Sequence, residues 1–343
     1  MSKTENIHKA QQILVAGPAW VGDMVMAQSL FKTLKQRAYP VEIDVLAPSW
    51  SNPIIARMPE VRETINLPVA HGEFGLGHRF KLGKALRSKN YDQAIITPRS
   101  YKAALVPFFA NAKRRTGYRG EMRYGVINDI RPLDKKILQQ TVQRYVALGL
   151  DNNIIQPPEI PFPKLSVDNN NLNQLLSELN LNLEKPVVAL LPGAEYGEAK
   201  RWPVENYALL ATKLCESGFQ VWVLGSEKDR AAAETIVHGN PAMNLCGKTR
   251  LEDSIDLLSV CKSAVTNDSG LMHIAAAVDI AVVAIYGSST PKYTPPLTEK
   301  AKIHYLGLDC SPCFKRECPL GHTNCLKNIT VDDVFKTIRI ACE

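Results

Sequence analysis

Residues 264–277 read AVTNDSGLMHIAAA, and the fold class turns on this stretch. Residues 264–266 form a short apolar run with β-branched members, which suits a buried strand. Asn267-Asp268-Ser269-Gly270 then supplies turn residues, and 271–277 returns to apolar spacing around a helix. Residues 13–34 repeat this order: ILVA, then Gly17-Pro18-Ala19-Trp20-Val21-Gly22-Asp23, then Met24, Ala27, Leu30, Phe31 and Leu34 at helical spacing. It returns at 186–197, PVVALLPGAEYG. Further strands are predicted at 41–46, 94–97, 220–224 and 281–286, and helices at 172–181, 206–217, 228–238 and 251–261. A last helix follows Thr330, with Asp332 and Asp333 in its first turn. Strands alternating with helices predict βαβ units and parallel sheets.

Residues 151–170, DNNIIQPPEIPFPKLSVDNN, are rich in Pro and Asn and read as a linker. The 343 residues are enough for two domains. The expected organisation is α/β: a Rossmann-like domain at 1–160, a second at 161–329, facing each other across a cleft, and a terminal helix at 330–343. In such sheets, ligands bind at the carboxyl ends of the strands.

No apolar run approaches the ~20 residues that span a bilayer. The first residues, MSKTENIHKAQQ, lack the apolar centre of a signal peptide, so a cytoplasmic protein is expected. The net charge of +7 is unevenly shared. Residues 1–165 hold 24 Lys and Arg against 13 Asp and Glu, a net of +11; the remainder holds 17 against 21, a net of −4. The basic half suits a polyanion or an anionic membrane surface, or is simply a solvated face.

Several segments could carry chemistry. Gly17 and Gly22 permit a tight turn beside Asp23, which either acts at the mouth of a site or caps the helix. Lys200 and Arg201 in PGAEYGEAKRWP could meet a phosphate or remain a solvated pair. Asp268, Ser269 and Gly270 lie at a helix start, where free N–H groups and the helix dipole attract an anion; ordinary capping is the alternative. His273 lies one turn further on and could be a core histidine. Gly287, in YGSSTP, follows the next strand. In RRTGYRGEMR, Arg115 and Arg119 suit an anionic sugar or a nucleic acid. Cys310, Cys313, Cys318 and Cys325 have a spacing that could hold structural zinc, or could be reduced thiols. There is no GxGxxG fingerprint, no Walker loop and no DxD pair, so neither a nicotinamide cofactor nor a metal clamp is expected.

The segments GPAWVGDMVMAQSL, RTGYRGEMRYG, PGAEYGEAKRWP, TNDSGLMHIAAA and YGSSTPKYTPPL run from 17 to 297 in this order. At these residues the chain resembles the heptosyltransferases of lipopolysaccharide core synthesis, glycosyltransferase family 9. The resemblance implies a GT-B fold, an N-terminal acceptor domain, a C-terminal donor domain and a terminal helix crossing back onto the first domain. It implies inverting transfer of heptose from ADP-heptose to the first heptose of the inner core, at the inner membrane surface, without a cofactor or nucleic acid. Transfer to Kdo, or a GT-B epimerase, are the alternatives. Asp23 would be the general base and Lys200 would bind the diphosphate. Gly22, Asp268, Ser269, Gly270, His273 and Gly287 would bind substrate, Glu227 the ribose, and Arg115 and Arg119 the acceptor.

Overall fold

The computed structural model describes residues 9–69, 72–151 and 154–342. The chain divides into two compact units after Pro161. Elements of the first unit are β1 (Gln11–Ala16), α1 (Val21–Lys35), β2 (Val41–Ala47), α2 (Asn52–Ile55), β3 (Val61–Asn66), α3 (Leu76–Ala85), β4 (Gln93–Ile96), α4 (Leu105–Phe109), β5 (Arg114–Tyr118), β6 (Asp129–Arg131) and α5 (Thr141–Gly149). The second unit starts with α6 (Asn169–Glu178), β7 (Val187–Leu191), α7 (Val204–Glu216), β8 (Gln220–Val223), α8 (Arg230–Val237), β9 (Met243–Asn244) and α9 (Leu251–Ser259). It continues with β10 (Ser263–Asn267), α10 (Gly270–Ala277), β11 (Ala281–Tyr286), β12 (Ala301–Tyr305), α11 (Asn324–Lys327) and α12 (Val331–Cys342).

Each unit holds one six-stranded sheet, and every pairing is parallel. The orders are β3-β2-β1-β4-β5-β6 and β12-β11-β10-β7-β8-β9. Numbered within its own unit, the second sheet repeats the order of the first. This is the doubly wound dinucleotide-fold order, in which the winding reverses between the first and fourth strands. The strand sequences explain the burial. Parallel strands are covered on both faces, so β1 and β11 are apolar nearly throughout, and Ile13, Leu14, Val15, Val282 and Val283 are fully buried. In α1, the residues Met24, Ala27, Leu30, Phe31 and Leu34 are all buried, as their spacing predicts. Asp23 in its first turn and Lys32 and Lys35 in its last complement the helix dipole.

The structure departs from the sequence reading in places. RRTGY, read as a basic binding run, is strand β5, with Thr116, Gly117 and Tyr118 buried. β3, β6, β12, α3 and α5 were not anticipated. β3 and β12 lie at sheet edges, where charged residues interrupt the apolar pattern (VRETIN, AKIHY). The segment read as linker is partly anchored. Leu165 is buried and its N–H donates to Ala277 O at 2.9 Å, while Asp168 caps α6. Asn152 and Asn153 of that segment fall outside the described residues.

The terminal helix packs into the second unit's core. Thr330 Oγ1 accepts the Asp333 N–H at 3.2 Å, the expected cap. Val334 and Ile338 are fully buried with Leu210, Leu214, Val265 and Ile285. A helix with so strongly one-sided an apolar stripe docks where that stripe is covered. Truncating Ile338 to Ala is therefore expected to destabilise the protein by about 2–5 kcal/mol, measured by urea unfolding. A loss below about 0.5 kcal/mol, the ordinary range for surface changes, would mean that α12 is not part of this core.

Candidate active site

The loops that follow β7 and β10 meet at the reversal point of the second sheet, where ligands bind in folds of this order. Asn267, the last residue of β10, ties them together. Its Oδ1 accepts the Trp202 N–H at 2.9 Å and its Nδ2 donates to Pro192 O at 2.7 Å. Asp268 comes next, with its side chain only 6% exposed. Its carboxylate accepts Lys200 Nζ at 2.5 Å and Ser289 Oγ at 2.6 Å on one oxygen, and Thr294 Oγ1 at 3.5 Å on the other. Burying a charge is costly without partners, and this carboxylate has them from two other loops. The same pairing fixes Lys200, whose ammonium also sits 5.3 Å from the Tyr196 ring centre.

Ser269 is the N-cap residue of α10, and no side chain caps this helix. The N–H groups of its first turn thus remain for an anion. His273 is buried within the same helix. Burial pushes its pKa down to about 4, outweighing the attraction of Asp268, so the imidazole is neutral at neutral pH. Gly287 directly follows β11, and a Cβ there would stand 2.5 Å from Leu326 Cγ, so only glycine lets this loop lie flush on α11. Glu227 follows β8 and is exposed, paired with Arg230 at 3.0 Å. The sequence reading missed Asp229. It is buried, and its Oδ2 accepts both Ser226 N at 2.9 Å and Ser226 Oγ at 2.7 Å.

In the first unit, Gly22 and Asp23 lie in the first turn of α1, directly after the loop that ends β1. Asp23 does not cap the helix; Trp20 holds the N-cap position. Tyr145 of α5 is buried near Asp23, and desolvation, reinforced by that carboxylate, raises its hydroxyl well above its ordinary range. The basic run is largely inward-facing. Arg115 donates to Val126 O at 2.8 Å and Ala112 O at 2.7 Å, and burial lowers its pKa. Arg115 thus braces main-chain carbonyls with two of its guanidinium nitrogens. Arg114 pairs with Asp129 and Asp151, and buried Arg123 donates to Pro98 O at 2.7 Å. Arg119 is exposed and lines a cavity of about 140 Å³ with Tyr118, Met122 and Tyr124.

The family model of glycosyltransferase family 9 (heptosyltransferase) matches residues 79–324. The chain belongs to this family. Over 338 residues it is 45% identical to lipopolysaccharide heptosyltransferase 2 of Salmonella typhimurium strain LT2, covering 95% of this chain and 97% of that one. The corresponding protein of Escherichia coli strain K12 is 44% identical over 338 residues, with the same coverage. The solved structure of E. coli ADP-heptose lipopolysaccharide heptosyltransferase II superposes with a TM-score of 0.86 at 41% identity, covering 97% of this chain and 98% of that one. The fold is accordingly GT-B, as the resemblance implied.

In this family 9 chain the cysteine segment braces the Lys200 loop. The Ala199 N–H donates to Arg316 O at 3.0 Å, Phe314 N–H to Ser288 O at 2.8 Å, and Tyr196 OH to Phe314 O at 2.8 Å. Cys310, Cys313, Cys318 and Cys325 line a cavity of about 20 Å³ with His322. Backbone N–H groups, Thr323 foremost, pull the Cys318 thiol below its ordinary range, while burial raises Cys325. Among the described residues no three His, Cys, Asp or Glu side chains are grouped to hold a metal ion.

Two outcomes follow from the charge arrangement. Lys200→Met leaves the Asp268 carboxylate buried without its counter-ion, and should cost about 3–5 kcal/mol in urea unfolding at neutral pH. Adding Asp268→Asn should recover much of that loss; a double variant no more stable than the single would show that the stranded carboxylate is not the cause. His273 supplies a pH dependence. The unfolded imidazole takes up a proton near its ordinary 6.5, but the folded one resists until about 4. Stability is therefore complete above pH 6.5 and falls as the pH drops to 4, by about 3 kcal/mol in total. His273→Gln should remove that part of the slope, and an unchanged slope would assign it to another group.

Proposed function

We propose that the chain transfers heptose from ADP-heptose to the first heptose of the lipopolysaccharide inner core, in one displacement that inverts the anomeric carbon. The observation that carries this reading is the Lys200–Asp268 pair at the reversal point of the second sheet, beside the uncapped start of α10. A nucleotide diphosphate leaving group gains negative charge as the glycosidic bond breaks, and it needs fixed positive dipoles there. The Lys200 ammonium carries three donors, so pairing with Asp268 leaves capacity for a diphosphate oxygen. The N–H groups at Ser269 and Gly270 supply the rest. Glu227 would accept from ribose hydroxyls, Gly287 would line the donor site from the loop after β11, and neutral His273 adds no competing charge.

Asp23 is the proposed general base, taking the proton from the acceptor hydroxyl as it attacks. Gly22 allows the acceptor close to the backbone. Arg119, which is exposed, would meet acceptor phosphate, with Arg115 beside it bracing the main chain. Relatives named heptosyltransferase 2 at 42–46% identity favour the first heptose over Kdo as acceptor, and transfer over epimerisation. The site of action would be the cytoplasmic face of the inner membrane; no helix among the described residues is long and apolar enough to cross it.

An ADP-release assay with defined core acceptors tests the reading. ADP release should require an acceptor ending in one heptose, and Asp23→Asn should lower kcat by about 10²–10⁴-fold while leaving ADP affinity unchanged. Release with a Kdo-only acceptor, or free sugar without any acceptor, would overturn the assignment, and near-normal turnover in Asp23→Asn would remove it as the base.

A further inference from the structure

The first unit carries an apolar, cation-rich face that none of the proposed chemistry uses. Residues 74–120 hold eleven Lys and Arg against one acid, Asp92. Part of that charge is spent internally. Arg79 is buried and donates to Phe74 O at 2.7 Å and Lys102 O at 3.1 Å. The inner side of α3 is pressed tightly onto α4: a Cβ on Gly83 would stand 2.5 Å from Phe109 Cβ. The outer side is different. Leu76, Phe80 and Lys84 follow one another at four-residue spacing, with Lys81 alongside, and all four are exposed. Lys81 and Lys84 have no acidic partner among the described residues.

The aromatic surface continues from α3 onto α4. The Phe80 ring stands edge-on to Phe109 at 5.1 Å, and Phe109 to Phe108 at 5.5 Å. The Arg115 guanidinium lies 5.5 Å from the centre of the Phe108 ring. Phe74 and Leu76 are about half exposed, at 48% and 52%, with Phe80 at 44% and Phe108 at 37%. Isolated apolar residues at a surface need no explanation, but a contiguous aromatic strip does.

We infer that this α3–α4 face docks onto an anionic bilayer surface, with Leu76, Phe80 and Phe108 entering the headgroup boundary and Lys81 and Lys84 meeting lipid phosphates. The charge pattern selects this occupant. An apolar strip alone would fit a protein, but unpaired lysines along it with no acid from 93 to 120 match a surface of one sign. Lysine stems lie along apolar surface while their ammonium groups reach outward, so rings and charges can act at one depth. The inference rests on the reading that the acceptor is lipopolysaccharide, because an enzyme acting on a membrane-anchored acceptor gains from being held at its surface.

Co-sedimentation of the full chain with vesicles of phosphatidylcholine, with and without phosphatidylglycerol, tests this directly. The chain should sediment with the anionic vesicles, and less so as salt rises. Lys81→Glu with Lys84→Glu should weaken that binding by on the order of tenfold or more, since each cation near the surface contributes about fivefold. Leu76→Ser, at a position with little packing to lose, and Phe80→Ser with Phe108→Ser should each weaken it too. Every variant should keep wild-type ADP release with a lipid-free core acceptor, which separates docking from catalysis. Equal sedimentation with neutral vesicles, or unchanged anionic-vesicle binding in both the lysine and the apolar variants, would overturn the inference. So would full competition for the face by a soluble protein partner but not by lipid. Absence of ADP release with any acceptor, alongside intact vesicle binding, would instead strike the proposed function and leave the docking face standing.

Discussion

A carboxylate buried in an apolar fold remains charged only if other parts of the chain come to it, and Asp268 brings three of them. Lys200 arrives from the loop after β7; Ser289 and Thr294 arrive from the segment after β11. Asn267, one residue earlier, does the same for main-chain groups, fastening Pro192 and Trp202 to the end of β10. Two adjacent polar residues thus set the spacing of three loops at the sheet's reversal point. That spacing leaves the start of α10 without a side-chain cap, as an anion-binding turn needs. The pair also orients the Lys200 ammonium through one acceptor, while its other N–H groups stay available to hydrogen-bond elsewhere.

The two sheets share one strand order yet furnish it differently. In the first unit the equivalent ends of β1 and β4 are joined by Thr97, whose Oγ1 donates to Ala16 O at 2.9 Å, and no buried ion pair corresponds to Lys200–Asp268 among the described residues there. Asp23 stands instead at the start of α1. A shared architecture with different polar residues at its loop ends is the usual way one fold supplies two roles, because loops change chemistry without disturbing the strands beneath.

Where the cations go decides what the basic half can do. Arg37 donates to Gly149 O at 2.8 Å, Arg131 to Ala147 O at 3.0 Å, Arg144 to Leu138 O at 3.0 Å, and Arg115 and Arg123 to carbonyls of their own unit. Those of Gly149 and Ala147 belong to the last turn of α5, where carbonyls lack intrahelical partners, and the others lie in loops; the rigid guanidinium fork satisfies both kinds. The net charge of +11 therefore overstates the surface available to a polyanion. The cations left outward include Lys81 and Lys84 of α3, Arg119, and Lys135 and Lys136.

The sequence alone determined the fold class and most of the candidate site. Apolar runs such as ILVA and AVVAIY, each followed by a turn of small residues and a helix-spaced segment, can bury their groups only as parallel strands under helices. The turns at Gly17–Asp23, Pro192–Lys200 and Asp268–Gly270 were legible for the same reason, since chemistry at the carboxyl end of a strand sits next to the strand in the chain. Edge strands β3 and β12 were not, because half-solvated strands lose the apolar signal. Only the tertiary structure decided which partner each charged residue takes. Asp268 could equally have been a helix cap, and the sequence gives no sign of which carbonyls Arg115 meets or of which residues cover the apolar stripe of α12. The folded chain supplied the partners: Lys200 and Ser289, 68 and 21 residues away, for Asp268, the carbonyls of Ala112 and Val126 for Arg115, and the second unit's core for Ile338 of α12. Periodicity records which face of an element is buried, but the cost of an unpaired charge or carbonyl is settled only where the folded chain supplies, or withholds, a partner.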